Sequence, residues 1–332
     1  MSARGLAVQV LKIMTMAALM LVAALLGGSW LWTPDKDRSE LEALYAGPAS
    51  EFVDVLGVRL HVRDSAFRAA AGDHTPAAAP ERRPTLLLLH GFGSSLHTWE
   101  PWAQALAATH RVIRIDLPGS GLTGADPSGD YSDERGVALI TALLDQRGVA
   151  RATLVGHSMG GRLAWRFAAA QPQRVDRLVL VAPDGFASPG FEYGKAPEVG
   201  PAVTLMQYAL PKAVLRWSLL PAYADPAVAT DALVTRYHDL MLAPQVRRAL
   251  IARMQQLVLQ DPVPMLRQIT APTLLLWGEQ DKMIPVANAQ DYLRALPQAR
   301  LVALPGVGHV PHEEAVTAGL AALQAFLVEP AR

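Results

Sequence analysis

The chain has 332 residues and is 51% hydrophobic, enough for one large α/β domain with a smaller insertion. Its 30 basic and 30 acidic residues balance without a basic patch, which argues against nucleic-acid binding. It has no cysteine, which excludes a disulfide framework, thiol catalysis and a cysteine-based zinc site. Its nine histidines show no H-E-x-x-H pattern and there is no P-loop, so neither a metal nor a cofactor is expected.

The first predicted element is apolar. Ile13 through Trp32 carries no charge and as a helix would span about 30 Å, one bilayer core. Arg4 and Lys12 precede it, and Trp30 and Trp32 close it where an aromatic belt would lie. Residues 1–34 are therefore expected to form a single transmembrane anchor. Its flanking charges place the N-terminus in the cytoplasm and the remainder outside. The competing reading is a cleaved signal peptide ending at Gly27-Gly28-Ser29, which would export a soluble protein. Residues 35–51 follow as a short linker or helix.

Residues 52–183 are expected to be the first part of the α/β core. Phe52 to Val55 and Val58 to Val62 alternate across Leu56-Gly57 as a β-hairpin. Ala66 to Arg83 is Ala/Pro-rich and longer than a hairpin loop needs, so it is expected to be a surface insertion that exposes His74. A third strand, Thr85 to Leu89, runs into His90-Gly91-Phe92-Gly93-Ser94-Ser95. A helix from Thr98 to Ala108, a strand Arg111 to Ile115 and a loop Asp116 to Gly121 come next. A helix from Ser132 to Gln146 precedes the strand Ala152 to Val155. After that come Gly156-His157-Ser158-Met159-Gly160, a helical run from Gly161, and a sixth strand, Arg177 to Ala182.

The strand pattern lapses over residues 184–266, where prolines recur between helical pieces. A helical cap is expected there. Pro244 can open one of its helices, with Val246, Leu250, Met254, Leu257 and Val258 following at helical spacing. Met206, Tyr208, Trp217, Leu219, Leu220, Tyr223 and Met241 are candidate pocket walls. Of these, Met206, Trp217 and Met241 are the residues expected to touch substrate, with packing of the cap onto the core as the competing role. Residues 267–332 complete the α/β core. Ala271 to Trp277 forms a buried strand that ends in Gly278-Glu279-Gln280-Asp281. Leu301 to Leu304 forms another, ending in Pro305-Gly306-Val307-Gly308-His309.

The chemistry is carried by Ser158, at the apex of a strand–turn–helix of G-x-S-x-G type. Glycines at 156 and 160 suit a turn too tight for side chains. A serine nucleophile needs a base, and the base needs an orienting acid. His309 and Asp281 each follow the C-terminal end of a strand, the edge a parallel sheet shares with the turn after Ala152 to Val155. Asp184, after the sixth strand, is the alternative acid. The oxyanion donors are expected to be the amides of Met159 and Phe92. His90 is read as bracing its loop rather than serving as a second base.

These segments resemble the α/β-hydrolase superfamily from about Phe52 to Leu327. They are His90-Gly91-Phe92-Gly93, Asp116-Leu117-Pro118-Gly119-Ser120-Gly121, Gly156 to Gly161, Gly278 through Pro285, and Gly308-His309-Val310-Pro311 with Glu313-Glu314. The resemblance implies an eight-stranded, mostly parallel α/β sheet with flanking helices and a helical cap after the sixth strand, here preceded by one transmembrane helix. It also implies that Asp116 braces its loop. The chain looks most like small esterases, carbon–carbon bond hydrolases of aromatic breakdown and cofactor-free haloperoxidase-like enzymes. Serine at the apex departs from epoxide hydrolases and haloalkane dehalogenases, which carry aspartate there.

The expected function is hydrolysis of a small-molecule carboxylic ester with an apolar portion through an acyl-enzyme. One alternative is carbon–carbon hydrolysis of a vinylogous diketone, with Arg162, Arg216, Arg236, Arg247 or Arg253 binding its carboxylate. The other is a catalytically inactive, membrane-tethered binding protein. Oligomeric state is not legible in the sequence.

Overall fold

The structure, a computed structural model, describes residues 31–66, 83–188 and 192–329. Eight strands form one sheet: β1 (Ser50–Val55), β2 (Val58–Asp64), β3 (Thr85–Leu89), β4 (Arg111–Ile115), β5 (Ala152–His157), β6 (Val175–Val181), β7 (Thr273–Gly278) and β8 (Ala299–Leu304). Their order is β1-β2-β4-β3-β5-β6-β7-β8. The pairs β1–β2 and β2–β4 are antiparallel and all other pairs are parallel. The β1–β2 hairpin turns on Leu56 (φ 52°) and Gly57 (φ 81°). Two positive φ angles are what a two-residue hairpin loop needs to match strand twist.

The central strands are buried on both faces, which explains their unbroken apolar runs. Alternate residues serve opposite layers. Leu87, Leu89, Leu154 and Leu180 pack beneath helices α3 (Asp133–Gln146) and α4 (Met159–Ala170). Leu86, Leu88, Val155, Val179 and Val181 face α2 (Glu100–Leu106) and the C-terminal helix α12 (Val316–Leu327), where Trp99, Trp102, Leu323 and Phe326 fill the layer. Ser132 caps α3 by accepting from the Arg135 amide at 3.2 Å, which fixes the start expected from the sequence.

Between β6 and β7 the chain builds a helical cap from α5 (Pro201–Leu205), α6 (Lys212–Leu219), α7 (Asp231–Met241), α8 (Val246–Gln256) and α9 (Val263–Leu266). Helix α8 begins after Gln245, which is left-handed at φ 66°, and not at Pro244 as the proline suggested. The remaining helices, α10 (Asn288–Ala295) and α11 (Pro311–Glu314), flank β8.

Of the two readings for residues 35–51, helix rather than bare linker is found. Helix α1 (Arg38–Tyr45) is capped by Asp37 and docks on the cap. There fully buried Leu41 joins Leu210, Leu215, Leu240, Met241, Val246 and Leu250. Asp35 pairs with Arg247 at 2.6 Å, and Trp32 stacks on Tyr208 with centroids 5.9 Å apart. Among the described residues no helix is long and apolar enough to cross a membrane. The expected anchor, residues 1–34, lies outside the described residues except for Leu31, Trp32, Thr33 and Pro34, as do residues 67–82, including His74.

Candidate active site

Ser158 stands between β5 and α4 with φ 52° and ψ −117°. This strained apex, of a kind that costs on the order of 1–3 kcal/mol, is held on both sides. The Ser158 amide donates to Val181 O at 3.0 Å, and its carbonyl accepts from the amides of Arg162 and Asp184 at 3.0 and 3.1 Å. The flanking glycines are required by close approach. A Cβ at Gly156 would lie 2.3 Å from Gly160 O, and one at Gly160 would lie 2.3 Å from Leu89 O.

His309 Nδ1 lies 2.7 Å from Asp281 Oδ2, and both side chains are almost fully buried. The other Asp281 oxygen accepts from the amides of Met283 and Ile284 at 2.8 and 2.9 Å, which fixes the carboxylate. The carboxylate therefore selects the His309 tautomer that leaves Nε2 free to act as a base. Asp184 is placed differently. Its Oδ2 lies 3.1 Å from Arg162 Nη1, so of the two candidate acids Asp281 is the one bonded to His309.

The loop after β3 lies directly against Ser158. A Cβ at Gly91 would sit 2.6 Å from His157 Nδ1 and 3.3 Å from the Ser158 Cβ. This brings the peptide of Phe92 beside Ser158, while Met159 opens α4 on the other side. His90 braces the loop as expected. Its Nε2 accepts from the Leu117 amide at 2.9 Å, so Nδ1 carries the proton that is donated to Gly91 O at 2.8 Å. With both nitrogens committed it is not a second base. Asp116 accepts from His61 Nδ1 and from the amides of Leu96 and Leu122, all within 2.8 Å. Burial alone would raise its carboxyl; His61 against it, and next His97 and His90 nearby, hold it far below the usual carboxylate range.

Sequence reasoning missed how firmly the His309 loop is bolted to the cap. The His309 amide donates to Ala222 O at 2.7 Å, and the Asp225 amide donates to Glu314 at 2.8 Å. Glu313 accepts from Tyr223 and Tyr237 hydroxyls at 2.8 and 3.1 Å and pairs with Arg236 at 2.5 Å. The Glu313-Glu314 pair stood in the sequence beside His309, but nothing there named its partners roughly 80 residues earlier. Beneath His309, the ring of His157 donates from Nε2 to His309 O at 2.9 Å, and the His312 ring lies 4.6 Å further on. Burial holds both rings well below the usual imidazole range, which favours the neutral form of each.

Ser158, Met159, Phe92 and His309 line one cavity of about 160 Å³. Its apolar walls include Met254, Leu257, Met283 and Ile284; its polar side is Arg162, Asp184, Ser188 and Arg253. Met206, Trp217 and Met241, expected to touch substrate, do not line it. Met206 and Met241 pack the cap against α1, and Trp217 is 81% exposed. Helical spacing alone does not separate an inner cap face from a face packed on another helix. A wider groove of about 680 Å³, lined by Arg177, Thr273, Ala299 and Arg300, lies where β6, β7 and β8 begin. That is the end of the sheet opposite Ser158, and the groove contains neither a serine nor a histidine.

The alpha/beta hydrolase fold family matches residues 84–316. The chain belongs to the α/β-hydrolase family, a family of hydrolytic enzymes. It is 28% identical over 232 residues to a 2-hydroxy-6-oxo-6-phenylhexa-2,4-dienoate hydrolase of Burkholderia cepacia, covering 68% of this chain and 80% of that one. It is 33% identical over 247 residues to a dihydrolipoyllysine-residue acetyltransferase component of the acetoin cleaving system of Pseudomonas putida. That match covers 73% of this chain but only 63% of the relative, less than two thirds of its length. Among solved structures it is similar to a membrane phospholipase A described as a bacterial virulence factor. That likeness has 25% identity and a TM-score of 0.68 and covers 98% of both chains.

Proposed function

We propose that this chain is a serine hydrolase that cleaves a carboxylic ester with an apolar portion through an acyl-enzyme. One observation carries the reading: strained Ser158 shares a largely apolar-walled cavity with His309, whose Nδ1 is held by Asp281 at 2.7 Å. In the proposed cycle, His309 Nε2 takes the Ser158 proton as Oγ attacks the ester carbonyl. The amides of Phe92 and Met159 receive the oxyanion, each worth about 3 kcal/mol of barrier. The tetrahedral species collapses, and the alcohol leaves with the proton from His309. Water, activated by the same imidazole, then releases the acid and restores Ser158.

The second reading is carbon–carbon hydrolysis, supported by the likeness to the dienoate hydrolase. Of the five arginines weighed for a substrate carboxylate, Arg162 and Arg253 reach the cavity wall. Arg216 pairs with Asp231, Arg236 with Glu313 and Arg247 with Asp35. The ester reading draws on the similarity to the phospholipase, which extends over nearly the whole of both chains. Parallel assays of short-chain esters and ring-cleavage diketones decide between the two. Ester turnover at least tenfold above diketone turnover is expected, and the reverse order would replace ester hydrolysis with carbon–carbon cleavage.

On this reading the run Ile13–Trp32 tethers the enzyme to a membrane with the hydrolase outside the cytoplasm, because Arg4 and Lys12 precede the run. The run ends at Trp32, which stacks on Tyr208 of the cap, and the chain leaving it docks on the cap through Asp35 and Leu41. The full chain is expected to resist carbonate extraction from membranes. Removing residues 1–31 is expected to release an active enzyme, whereas removing residues 1–46 strips Leu41 from its cluster and lowers stability. Reporter fusions that place Arg332 in the cytoplasm would overturn the topology.

A further inference from the structure

Resting on the ester-hydrolase reading, we propose that Arg253 makes the cavity at Ser158 selective for esters that carry an oxyanion, a carboxylate or a phosphate, on the part that lies against α8. The wall of that cavity holds two arginines and one carboxylate. Arg162 has carboxylates beside it: its Nε lies 3.1 Å from Asp133 and its Nη1 lies 3.1 Å from Asp184, although neither nitrogen is in hydrogen-bond geometry. Arg253 makes no ion pair with a carboxylate among the described residues, and Asp133 and Asp126 act on it only at longer range. It donates to Pro118 O at 2.7 Å and to Tyr131 O at 3.5 Å, its guanidinium lies 5.2 Å from the Tyr131 ring centroid, and its Nε has no partner. The residue is only 6% exposed.

Two carbonyl dipoles, a ring face and the more distant charges of Asp133 and Asp126 surround the guanidinium without a carboxylate in contact with it, which leaves a buried cation under-compensated. Burial, and next the charge of Arg162, lower its affinity for the proton to about 10, so it remains a cation at neutral pH. If only a latch to Pro118 O were needed, a neutral donor would serve. A cation at the wall of a small, mainly apolar cavity instead attracts an anion that arrives with the substrate, and the low local dielectric strengthens that attraction. The site thus offers apolar walls from Met254, Leu257, Met283 and Ile284 for a short chain and one charged group for its anionic substituent.

The test uses the full-length protein as wild type, Arg253→Gln and Arg253→Lys. Glutamine still donates a hydrogen bond but has no charge; lysine keeps the charge. Three esters are compared: 4-nitrophenyl butyrate, mono-4-nitrophenyl succinate with its carboxylate on the acyl side, and butyryl glycerol 3-phosphate with its anion on the alcohol side. The preference for an anionic ester over the butyrate, as a ratio of kcat/KM, is expected to fall about tenfold or more in Arg253→Gln and to recover in part in Arg253→Lys. The anionic ester that shows the loss identifies the side that carries the charge. Equal losses on neutral and anionic esters, or no loss, would overturn the proposal. Calorimetric titration of each anionic ester into Ser158→Ala, with and without Arg253→Gln, reads the same site without turnover. Binding of either anionic ester about tenfold weaker without Arg253 supports the site even if wild type hydrolyses no ester, a result that would sink the ester reading alone. Equal binding of both anionic esters removes the site whatever the enzyme hydrolyses.

Discussion

The floor and the roof of the cavity are built by different means. The floor is backbone: the Ser158 turn, the loop after β3, and the loops bearing Asp281 and His309. Each is fixed by a glycine that admits no Cβ, as at Gly156, Gly160 and Gly278, or by amides that clamp a carboxylate. The roof is side chains from a helix, Arg253, Met254 and Leu257 on or just after α8. A backbone-defined floor fixes where bonds are made and broken. A side-chain roof sets what fits, and is free to change without disturbing the chemistry.

Breaking the floor should therefore cost far more than altering the roof. Ser158→Ala and His309→Ala are each expected to lower kcat by about 10⁴- to 10⁶-fold, with the double variant little worse than either. Steady-state kinetics on folded protein checks this, and near-wild-type turnover in Ser158→Ala contradicts the mechanism. Next in size is the acid. Asp281→Asn frees the His309 tautomer and is expected to cost about 10³- to 10⁴-fold, whereas Asp184→Asn, whose carboxylate faces Arg162, should cost less than about tenfold. The reverse ranking would move the acid to the end of β6.

Smaller effects sharpen the roof. Leu257→Trp is expected to narrow the cavity and shift preference toward shorter acyl chains by about tenfold, seen in kcat/KM across an acyl series. Trp217→Ala, at an exposed site of the cap, should leave the series unchanged. A shift caused by Trp217 but not by Leu257 would relocate the substrate to the outer cap.

The buried histidines make stability depend on pH. His90, His97, His157 and His312 are depressed by burial, His97 to about 4. A depressed imidazole means that below about pH 6.5 the unfolded chain binds protons that the folded chain refuses, so stability falls with acidification. For His97 alone the loss is about 1.4 kcal/mol per pH unit between about 6.5 and 4. Urea unfolding midpoints are expected to drop clearly from pH 7 to pH 5; a flat profile would mean these rings are charged or exposed in the native state.

The same contrast explains what the sequence disclosed. The loops bearing Ser158, Asp281 and His309 were legible because a tight backbone leaves few residue choices, and strands β3 and β7 because burial on both faces leaves an apolar run. The cap residues at the cavity were not. Met206, Met241 and Met254 are chemically alike, and only the packing of α1 against the cap decides that the first two turn away from Ser158. The bolt between Glu313 and Tyr223, Arg236 and Tyr237 was hidden for a related reason: long-range polar pairs leave no local pattern.

The central claim is that Ser158 is an activated nucleophile. Intact-mass analysis after treatment with a fluorophosphonate measures this directly. The wild-type chain should gain one adduct that maps to Ser158 and is lost in Ser158→Ala, and labelling should slow sharply in His309→Ala. An unlabelled wild-type chain, or an adduct that persists in Ser158→Ala, would contradict the account.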